Sequence, residues 1–564
     1  MTNKTGAPIS ALVVGAGPIG LTMALDLTMR GIKCRIVDRL EQPSDKSKAV
    51  GIHARTLELL EVLGIEKEFL ELGHKIHATN IYSGKTKLVH LSMDEIGGQY
   101  PYALMLPQNQ TERILTEQLA KHGISIERGV ELIDFTDDGD VVTANLKHTN
   151  GDTEKVEAYW LLGCDGAHST VRHKLGMTFD GGAYEQPFAT VDCHVDWNEP
   201  DDELVGFICE GGSVFFFPLG NKRYRLVADG APGEGDGDLT IEEMQAIVDK
   251  RCYPGIKLKD PVWLAWFKIS HRSVESYKKG RCFVLGDAAH VHSPALGQGM
   301  NTGMQDAFNL AWKIELVEKG IAQQKLLDSY NLERHPVGQA LLRRTDLVTK
   351  LVTLRSAIGQ GIRNRLMPLL ADQEVVQHRA LQTLSMIGLN YRHSSIVGQH
   401  RDPVTAIAHP VTGWLDFNHG PMPGDRALDG ELSPTETSTA TRLLEKLHGV
   451  NHNVLLFAGL HDSSDSLRYI DSILHQIESQ FEFVNCHVIV SNSQDASTCK
   501  SAHSVLVDSD GTLHHKYGAA QSCLYLVRPD EYIGFRSQPI SFDALRKYFI
   551  DIFGAQVVVE AAKK

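Results

Sequence analysis

The segment Gly15-Ala16-Gly17-Pro18-Ile19-Gly20 stands between a short apolar run, Ala11–Val14, and an amphipathic helical pattern. The run is long enough for a buried parallel strand. Gly15 suits a tight turn, Gly17 allows a pyrophosphate to approach the backbone, and Gly20 allows the helix to pack closely on the strand. The helix N-terminus adds unpaired N–H groups and a partial positive charge. The segment predicts a dinucleotide-binding turn; the alternative is a strand–helix turn without a ligand.

A carboxylate follows this turn at the distance that a dinucleotide site requires. A second apolar strand, Cys34–Val37, ends at Asp38. In dinucleotide-binding folds, an acidic residue about 20 positions after the glycines contacts a ribose hydroxyl. The combination of strand, glycine turn, helix and terminal acid is more specific than the glycines alone.

A second glycine–aspartate corner, Gly286-Asp287-Ala288-Ala289-His290, follows another buried strand, Cys282–Leu285. Gly297-Gln298-Gly299 then precedes a helix that continues past Trp312, so its N–H groups are predicted to face a ligand. Such donors would stabilise the negative charge of a reduced flavin ring. The two corners suggest a flavin held between distant parts of the chain, whereas the alternative is a glycine-rich helix cap without a ligand.

Composition limits the class of protein. The chain has 564 residues, of which 42% are hydrophobic and 22% charged, and its net charge is −14. This is ordinary globular usage, and the acidic balance argues against nucleic acid or an anionic membrane as a main partner. Nine scattered cysteines without CxxC spacing favour a reduced, cytoplasmic protein. No signal peptide and no apolar run of membrane-spanning length are predicted.

The pattern of elements divides the chain. Residues 180–270 alternate like an antiparallel sheet, and residues 320–395 are mostly helical in pattern. Beyond residue 400, strands and helices alternate in a predicted α/β domain of about 140 residues. The breakers that mark this boundary are Pro403, Pro410, Gly413, Gly420–Asp425 and Pro434.

Three motifs in this order resemble those of the single-component, class A FAD-dependent aromatic hydroxylases. They are the glycine segment with its terminal acid, Cys164-Asp165-Gly166 through Arg172, and Gly280-Arg281 leading to Gly286-Asp287. The chain is most similar to the phenol hydroxylase, pentachlorophenol monooxygenase and polyketide hydroxylase branch. Members of that branch carry a C-terminal thioredoxin-like domain, and Pro423–Arg426 and Val527–Asp530 resemble its hallmarks.

The resemblance implies an α/β fold in which an antiparallel-sheet substrate domain is inserted into a Rossmann-like FAD-binding domain. The implied FAD-binding domain comprises residues 1–75, 106–180 and 272–350, and the substrate domain 76–105 and 181–271. Residues 351–400 would form a helical connection, and residues 401–564 the thioredoxin-like domain. That domain is expected to serve packing or dimerisation, and a homodimer is left open.

The resemblance also implies which residues contact the non-covalently bound FAD. Asp38 would bind the adenosine ribose with Arg39 as the neighbouring cation, and Asp165 would serve both FAD and NAD(P)H. The remaining residues would contact the ribityl–phosphate region, the reactive edge and the pyrimidine end of the flavin; they are Gln108, Asp287, Pro294 and Gly299-Met300-Asn301.

Two positions depart from the family pattern. Ser47-Lys48-Ala49 stands where many relatives have Ser-Arg-Ala, so a planar fork that binds phosphate through two hydrogen bonds becomes a point charge. Arg55 is expected to compensate in part. Asp38 replaces a glutamate with a shorter carboxylate.

Several residues have competing interpretations. His53 is expected to pack or form hydrogen bonds near the flavin, with proton transfer as the alternative. Tyr224 or Arg225 could polarise a phenol, and one ring of Phe215–Phe217 could line the substrate cavity, although sheet packing explains both strands equally well. Histidines at 290 and 292 do not form a predicted metal site, because no cysteine or glutamate cluster lies nearby in sequence. No disulfide chemistry is expected of Cys486, Cys499 or Cys523.

The favoured function is an NAD(P)H-dependent flavoprotein monooxygenase that hydroxylates a phenolic or polycyclic aromatic substrate. The resemblance implies hydride reduction of FAD, a C4a-hydroperoxide formed with O2, and attack on an electron-rich ring carbon, with NAD(P)H docking transiently. Alternatives on the same cofactor are a Baeyer–Villiger oxygenase, a flavin reductase and a halogenase, although the Trp-x-Trp-x-Ile-Pro signature of halogenases is absent. The remote alternative is a non-catalytic FAD-binding scaffold.

Overall fold

The structure is a computed structural model that describes residues 7–44, 47, 49–230, 237–354, 357–371, 373–401, 416–434, 441–460, 464–492, 502 and 504–559. Lys48, Pro403, Pro410, Gly413 and Cys499 therefore lie outside the described residues.

Elements are numbered in chain order. The helices are α1 Pro18–Met29, α2 Ala54–Val62, α3 Glu66–Leu72, α4 Gln108–Lys121, α5 Thr170–Lys174, α6 Ile241–Arg251, α7 Gly299–Glu318, α8 Asp328–Val352, α9 Ala357–Ala371, α10 Glu374–Leu384, α11 Leu443–Leu447, α12 Ser464–Gln480, α13 Thr512–Lys516, α14 Phe542–Phe553 and α15 Gln556–Val559.

The first sheet carries the two glycine–aspartate corners. Its path runs through β17 Lys278–Lys279, β18 Cys282–Val284, β11 Thr153–Gly163, β1 Ile9–Val14, β2 Cys34–Asp38 and β8 Glu127–Arg128, while β10 Val142–His148 joins β11 and β9 Val130–Asp137 joins β10. Strands β18, β11, β1, β2 and β8 are parallel. Helix α1 packs between the sheet and α7 and α4. Parallel strands are covered on both faces, which explains their continuous apolar runs.

The second sheet has eight strands and is antiparallel except for one pair. Its order is β19 His290–Val291, β16 Lys257–Ser273, β12 Asp180–Asp196, β15 Arg223–Asp229, β14 Gly212–Gly220, β13 Glu203–Cys209, β5 Ala78–Ser83 and β6 Thr86–Ser92. The parallel pair is β13 with β5. The two predicted parts of the substrate domain, 76–105 and 181–271, therefore contribute strands to one sheet. Helix α6 interrupts the predicted run of strands, and Thr240 and Glu243 form a capping box at its start.

The third sheet belongs to the C-terminal unit, a name used below for residues 398–559. Its order is β20 Gly398–Arg401, β27 Ile533–Gln538, β26 Cys523–Val527, β23 His452–Phe457, β24 Val484–Val490 and β25 Ser504–Val507. Because β20 pairs with β27, the predicted boundary at residue 400 is wrong: it would cut through a strand of this sheet.

Two small sheets complete the fold. Strands β3 Gly51–Ile52, β7 Ala103–Met105 and β4 His74–Ile76 form one, and β21 Glu431–Leu432 and β22 Thr441–Arg442 form the other. The whole is a mixed α/β fold with several sheets. None of the described helices combines the length and the apolar character needed to cross a membrane.

Candidate active site

The first glycine turn is built as the sequence predicts. Gly15 has a φ of +101°, and a Cβ there would lie 2.5 Å from the Cys164 carbonyl oxygen. A Cβ on Gly20 would overlap the Gly15 carbonyl oxygen, so this glycine allows α1 to pack on the turn. At Gly17, by contrast, a Cβ would meet no protein atom within 4 Å. Protein packing therefore requires Gly15 and Gly20, whereas Gly17 leaves its side open to a ligand at the helix N-terminus.

The carboxylate of Asp38 reaches the same turn. Its Oδ2 accepts a hydrogen bond of 2.6 Å from the backbone N–H of Ala16. Arg39 is exposed, and the guanidinium that lies beside Asp38 instead belongs to Arg128, at 3.8 Å. Strand β8 pairs with β2 in a register that sets Arg128 opposite Asp38. Sequence reasoning missed Arg128 because strand pairing, not a local motif, brings it there.

Gln108 is tied to the segment that precedes β3. Its Oε1 accepts a hydrogen bond from the Ala49 N–H at 3.1 Å, and its Nε2 donates to Glu112 Oε1 at 2.9 Å. The backbone N–H of Gln108 donates to Ser47 Oγ at 2.9 Å. The predicted ligand residue therefore also holds the Ser47 side chain and the Ala49 backbone, the residues on either side of Lys48.

Arg55 has protein partners in place of the expected phosphate. Its buried guanidinium pairs with Glu58 at 2.8 Å and Glu531 at 2.6 Å, and donates to the Asp530 carbonyl oxygen at 2.6 Å. Arg55 is therefore engaged within the protein, and its compensation for the missing arginine stays a prediction. The pairing joins residues 476 positions apart, so no local pattern indicates it.

The Asp165 motif lies between the two corners. The Cys164 N–H donates to the Val14 carbonyl at 2.8 Å, and the Leu285 N–H donates to the Gly163 carbonyl at 3.0 Å. Asp165 Oδ2 accepts from Thr170 N–H at 2.7 Å, while its buried Oδ1 has no hydrogen-bond partner among the described residues. Burial raises the pKa of Asp165. The end of β11 is therefore a direct bridge from one glycine turn to the other.

The second corner touches the first. Gly286 has a φ of +56°, and a Cβ there would lie 2.9 Å from Ile19 Cγ1, at the start of α1. Asp287 is exposed at this turn. The turn is held from below by Asp306 of α7, whose Oδ2 accepts from the Gly286 N–H at 3.1 Å. The two corners therefore lie against each other, and their holding one FAD between them stays a prediction.

A buried ionic group supports this turn, and the sequence reasoning did not find it. Asp306 pairs with Arg334 at 2.6 Å and with His290 Nε2 at 2.9 Å. Burial would raise the pKa of Asp306, but Arg334 and His290 lower it overall. His290 thus supports the backbone, and the described residues include no group of three or more His, Cys, Asp and Glu side chains suited to a metal ion.

The segment Leu296–Asn301, called the ring segment below, leads into the first turn of α7. Gly297 has a φ of +64°. The amide of Asn301 donates to the carbonyl oxygens of Gly51 at 2.8 Å and Gly297 at 3.0 Å, and it accepts from the His53 N–H at 2.9 Å. The Asn301 side chain is therefore engaged by protein, while backbone N–H groups of the first turn of α7 have no partner within the helix.

His53 and Pro294 lie on either side of this segment. His53 Nε2 is 3.1 Å from the Leu296 carbonyl oxygen, and burial lowers the pKa of His53 to about 4. The neutral ring can donate through Nε2 to that carbonyl at neutral pH. Pro294 is exposed and opens a short 3-10 helix, Pro294–Leu296.

The second sheet separates the two candidates for substrate activation. Tyr224 is 1% exposed and packs on Trp197 and on the face that α6 covers. Arg225 faces the other way, opposite Phe217, which packs against the cluster that includes Met105. Met105 of β7 pairs with Gly51 of β3, and β3 leads directly into α2. This second face of the sheet therefore lies next to the start of α2. Strand alternation therefore places Tyr224 and Arg225 on opposite faces of this sheet, and only Arg225 lies on the face beside α2.

Arg225 is paired. Its Nε and a terminal nitrogen donate to the Asp192 carboxylate at 2.6 Å and 2.7 Å, and its guanidinium lies 5.2 Å from the centre of the Trp263 ring. Asp192, Arg225 and Trp263 thus form one row across three strands. A paired guanidinium is a fixed hydrogen-bonding element rather than a free charge.

Comparison with known proteins gives the family. Residues 9–345 match the family described as FAD binding domain. The chain is 34% identical to 6-methylpretetramide 4-monooxygenase of Streptomyces rimosus over 93% of this chain and 90% of that protein. It is 31% identical to pentachlorophenol 4-monooxygenase of Sphingobium chlorophenolicum over 94% of each. The structure of the anhydrotetracycline hydroxylase OxyS from Streptomyces rimosus superimposes with a TM-score of 0.71 at 27% identity, covering 97% of this chain and 99% of that one.

The chain belongs to the FAD-binding family of flavoprotein hydroxylases. Within it, the protein is an FAD-dependent aromatic monooxygenase, with the NAD(P)H dependence that is general in the family. Cys486 and Cys523 of the C-terminal unit are buried free thiols.

Proposed function

We propose that FAD lies along the carboxyl edge of the first sheet, with its pyrophosphate at Gly15–Gly20 and its ring at the ring segment. The observation that carries this proposal is the contact between Ile19 of the first corner and Gly286 of the second. Because the two corners adjoin, one dinucleotide laid along this edge would pass both of them on its way to the ring segment. Ligands of parallel sheets bind at this edge.

The residues present fit FAD. The open side of Gly17 suits a pyrophosphate, and Asp38 and Arg128 suit the ribose end. Asp165 Oδ1 is a buried acceptor for which the described part of the chain supplies no donor. The first turn of α7 offers N–H donors and a positive dipole end to the pyrimidine edge of the ring. When bound, FAD supplies hydride acceptance from NAD(P)H and activation of O2.

The protein's own contribution is positioning. The N-terminus of α7 stabilises negative charge at the pyrimidine edge, and neutral His53 holds the Leu296 carbonyl and so fixes the turn that follows Pro294. Pro294 would present its carbonyl to the reactive edge of the ring, and Asp287 would contact the ribityl chain. A substrate held a few ångströms from that edge gains from proximity, and exclusion of water prevents loss of the activated oxygen.

The proposed substrate is a phenolic or polycyclic aromatic compound. Two of the relatives are named for 6-methylpretetramide and pentachlorophenol, which supports a phenolic ring without fixing its size. The row Asp192, Arg225 and Trp263, with Phe217 beside it, gives the second sheet an aromatic face that carries a fixed guanidinium. Arg225 would orient an oxygen of the substrate there.

We also propose that the C-terminal unit is thioredoxin-like. Its parallel β23–α12–β24 unit, the antiparallel pair β26–β27 and the closing helix α14 support this assignment. The remaining proposals follow the family. They are O2 and NAD(P)H as co-substrates, a cytoplasmic location and a homodimer. The partition into FAD-binding, substrate and C-terminal domains is also proposed, with the start of the C-terminal domain placed before β20.

The experiment is a panel of phenols and polycyclic phenols added to the FAD-loaded protein with NADH or NADPH. One compound should accelerate both NAD(P)H oxidation and O2 uptake and return a product with one added ring oxygen. An ester, a halogenated product or a two-hydrogen change would indicate the alternative chemistries. A protein that takes up no FAD would end the proposal.

A further inference from the structure

The C-terminal unit inserts a polar loop beneath the flavin-binding helices. The loop is Arg528–Tyr532, called the brace loop below. Arg528 is 1% exposed and Glu531 is 4% exposed. Glu531 also adopts a left-handed backbone, with a φ of +59°. Buried charges and an unfavourable backbone conformation in one short loop persist only where the surroundings hold them in place.

One end of the brace loop contacts α7 and α8. Two nitrogens of Arg528 donate to the Glu333 carboxylate at 2.6 Å and 3.0 Å. Asn309 of α7 donates to Glu333 at 2.7 Å and to Asp530 Oδ2 at 3.3 Å. Lys313, one turn further along α7, pairs with Glu333 at 2.8 Å. The middle of α7 is therefore fixed to the loop through a closed network of buried charges.

The other end contacts the first turn of α2. Arg55 donates to Glu531 and to the Asp530 carbonyl oxygen, both at 2.6 Å, and its guanidinium lies 5.1 Å from the centre of the Tyr532 ring. Glu58, on the same helix, is the second carboxylate paired with Arg55, and it also contacts Arg426 at 3.2 Å. The start of α2 is thus held by the C-terminal unit.

These two helices are the ones that meet at the ring segment. His53, the N-cap of α2, lies two residues before Arg55 and contacts both the Leu296 carbonyl oxygen and the Asn301 side chain. Helix α7 begins with the ring segment at Gly299, and Asn309 lies three turns along it. A displacement of either helix would therefore move the groups that face the flavin ring.

We propose that the brace loop positions the flavin-ring site, with Glu531 acting on it through Arg55 and Asp530 through Asn309. Neither acid touches the cofactor, so both are positioning residues. The proposal rests on the ring lying at the ring segment. It gives the C-terminal unit a role in cofactor binding.

The test compares full-length variants loaded with FAD. Glu531→Gln keeps the size of the side chain but leaves Arg55 with one carboxylate, Glu58. Asn309→Ala removes the contact on α7 without removing a charge. The matched control is Asp508→Asn, because Asp508 is equally buried in the same unit and its partners, His514 and the backbone of Leu513, also lie within that unit. The measurements are the FAD dissociation constant, the midpoint potential of bound FAD and the thermal midpoint of the apoprotein.

Glu531→Gln and Asn309→Ala should weaken FAD binding about tenfold and shift the midpoint potential, whereas Asp508→Asn should lower only the thermal midpoint. Adding Arg55→Met to Glu531→Gln should weaken FAD binding no further, since the two residues act as one pair. The proposed role of the brace loop would be overturned if Glu531→Gln and Asn309→Ala both kept the wild-type FAD affinity and midpoint potential. An equal shift of affinity and potential in Asp508→Asn would also overturn it. If Glu531→Gln does not fold, Asn309→Ala decides alone. Failure of the wild type to bind FAD in the same assay would instead refute the proposed function.

Discussion

Ile19 of the first glycine turn lies against Gly286 of the second, and this contact brings together two motifs that are far apart in sequence. A Cβ on Gly286 would be 2.9 Å from Ile19 Cγ1, and a Cβ on Gly303 of α7 would also crowd Ile19. The two glycine turns therefore share one packing contact. A change at this contact should affect both.

Gly286→Ala tests the contact. The substitution meets Ile19 and forces a left-handed φ on alanine, so we expect a loss of stability of about 1–3 kcal/mol and a loss of FAD binding. Gly31→Ala is the control, because Gly31 also has a positive φ, +77°, but a Cβ added there would meet no atom within 4 Å. It should cost about 1 kcal/mol and leave FAD affinity unchanged. Equal FAD affinity in both variants would contradict the shared contact.

Gly17→Ala should separate ligand binding from folding. Gly17 has a φ of −80°, which any residue adopts, and its Cβ direction is open. The free energy of unfolding of the apoprotein should stay within about 0.5 kcal/mol of wild type. The FAD dissociation constant should rise at least about tenfold, because the Cβ stands where the pyrophosphate approaches. Fluorescence titration with FAD gives the affinity, and an unchanged value would place the pyrophosphate elsewhere.

The sequence predicted the first corner well, because strand, turn and helix are local. Asp38 followed from spacing, whereas Arg128 required the pairing of β8 with β2. The pairing of Arg55 with Glu531 was not predicted, because Glu531 comes from the other end of the chain. Alternation placed Tyr224 and Arg225 on opposite faces, but only the position of α6 shows which face is covered. Long-range packing, which short motifs do not encode, accounts for each of these differences.

His53→Gln should reduce acid sensitivity. Unfolded histidine has a pKa of about 6.5, and burial lowers the pKa of His53 to about 4, so the unfolded state binds the proton first. Stability is therefore lost as pH falls from about 6.5 to about 4, by about 3 kcal/mol from this group. Glutamine can still donate to Leu296 but does not titrate. Urea unfolding at pH 7.5 and pH 5 should show a smaller pH difference in the variant than in wild type, and an equal difference would contradict the buried neutral ring.

Arg225→Met and Tyr224→Phe should differ in their effects on substrate. Arg225→Met leaves the Asp192 carboxylate without its partner on the face beside Phe217. We expect kcat/KM for the aromatic substrate to fall about tenfold or more, equivalent to ~1.4 kcal/mol, with FAD affinity unchanged. Tyr224→Phe should retain kcat/KM within about twofold, because the ring faces α6. The reverse order of effects would assign the substrate to the other face of the sheet.

The most direct measurement is a crystal structure of the protein with FAD. We predict one FAD per chain, extended from Gly17 to the ring segment, with its pyrophosphate at the N-terminus of α1 and its pyrimidine edge at the first turn of α7. A flavin ring bound away from Leu296–Asn301, or an FAD that touches only one of the two corners, would contradict the central claim.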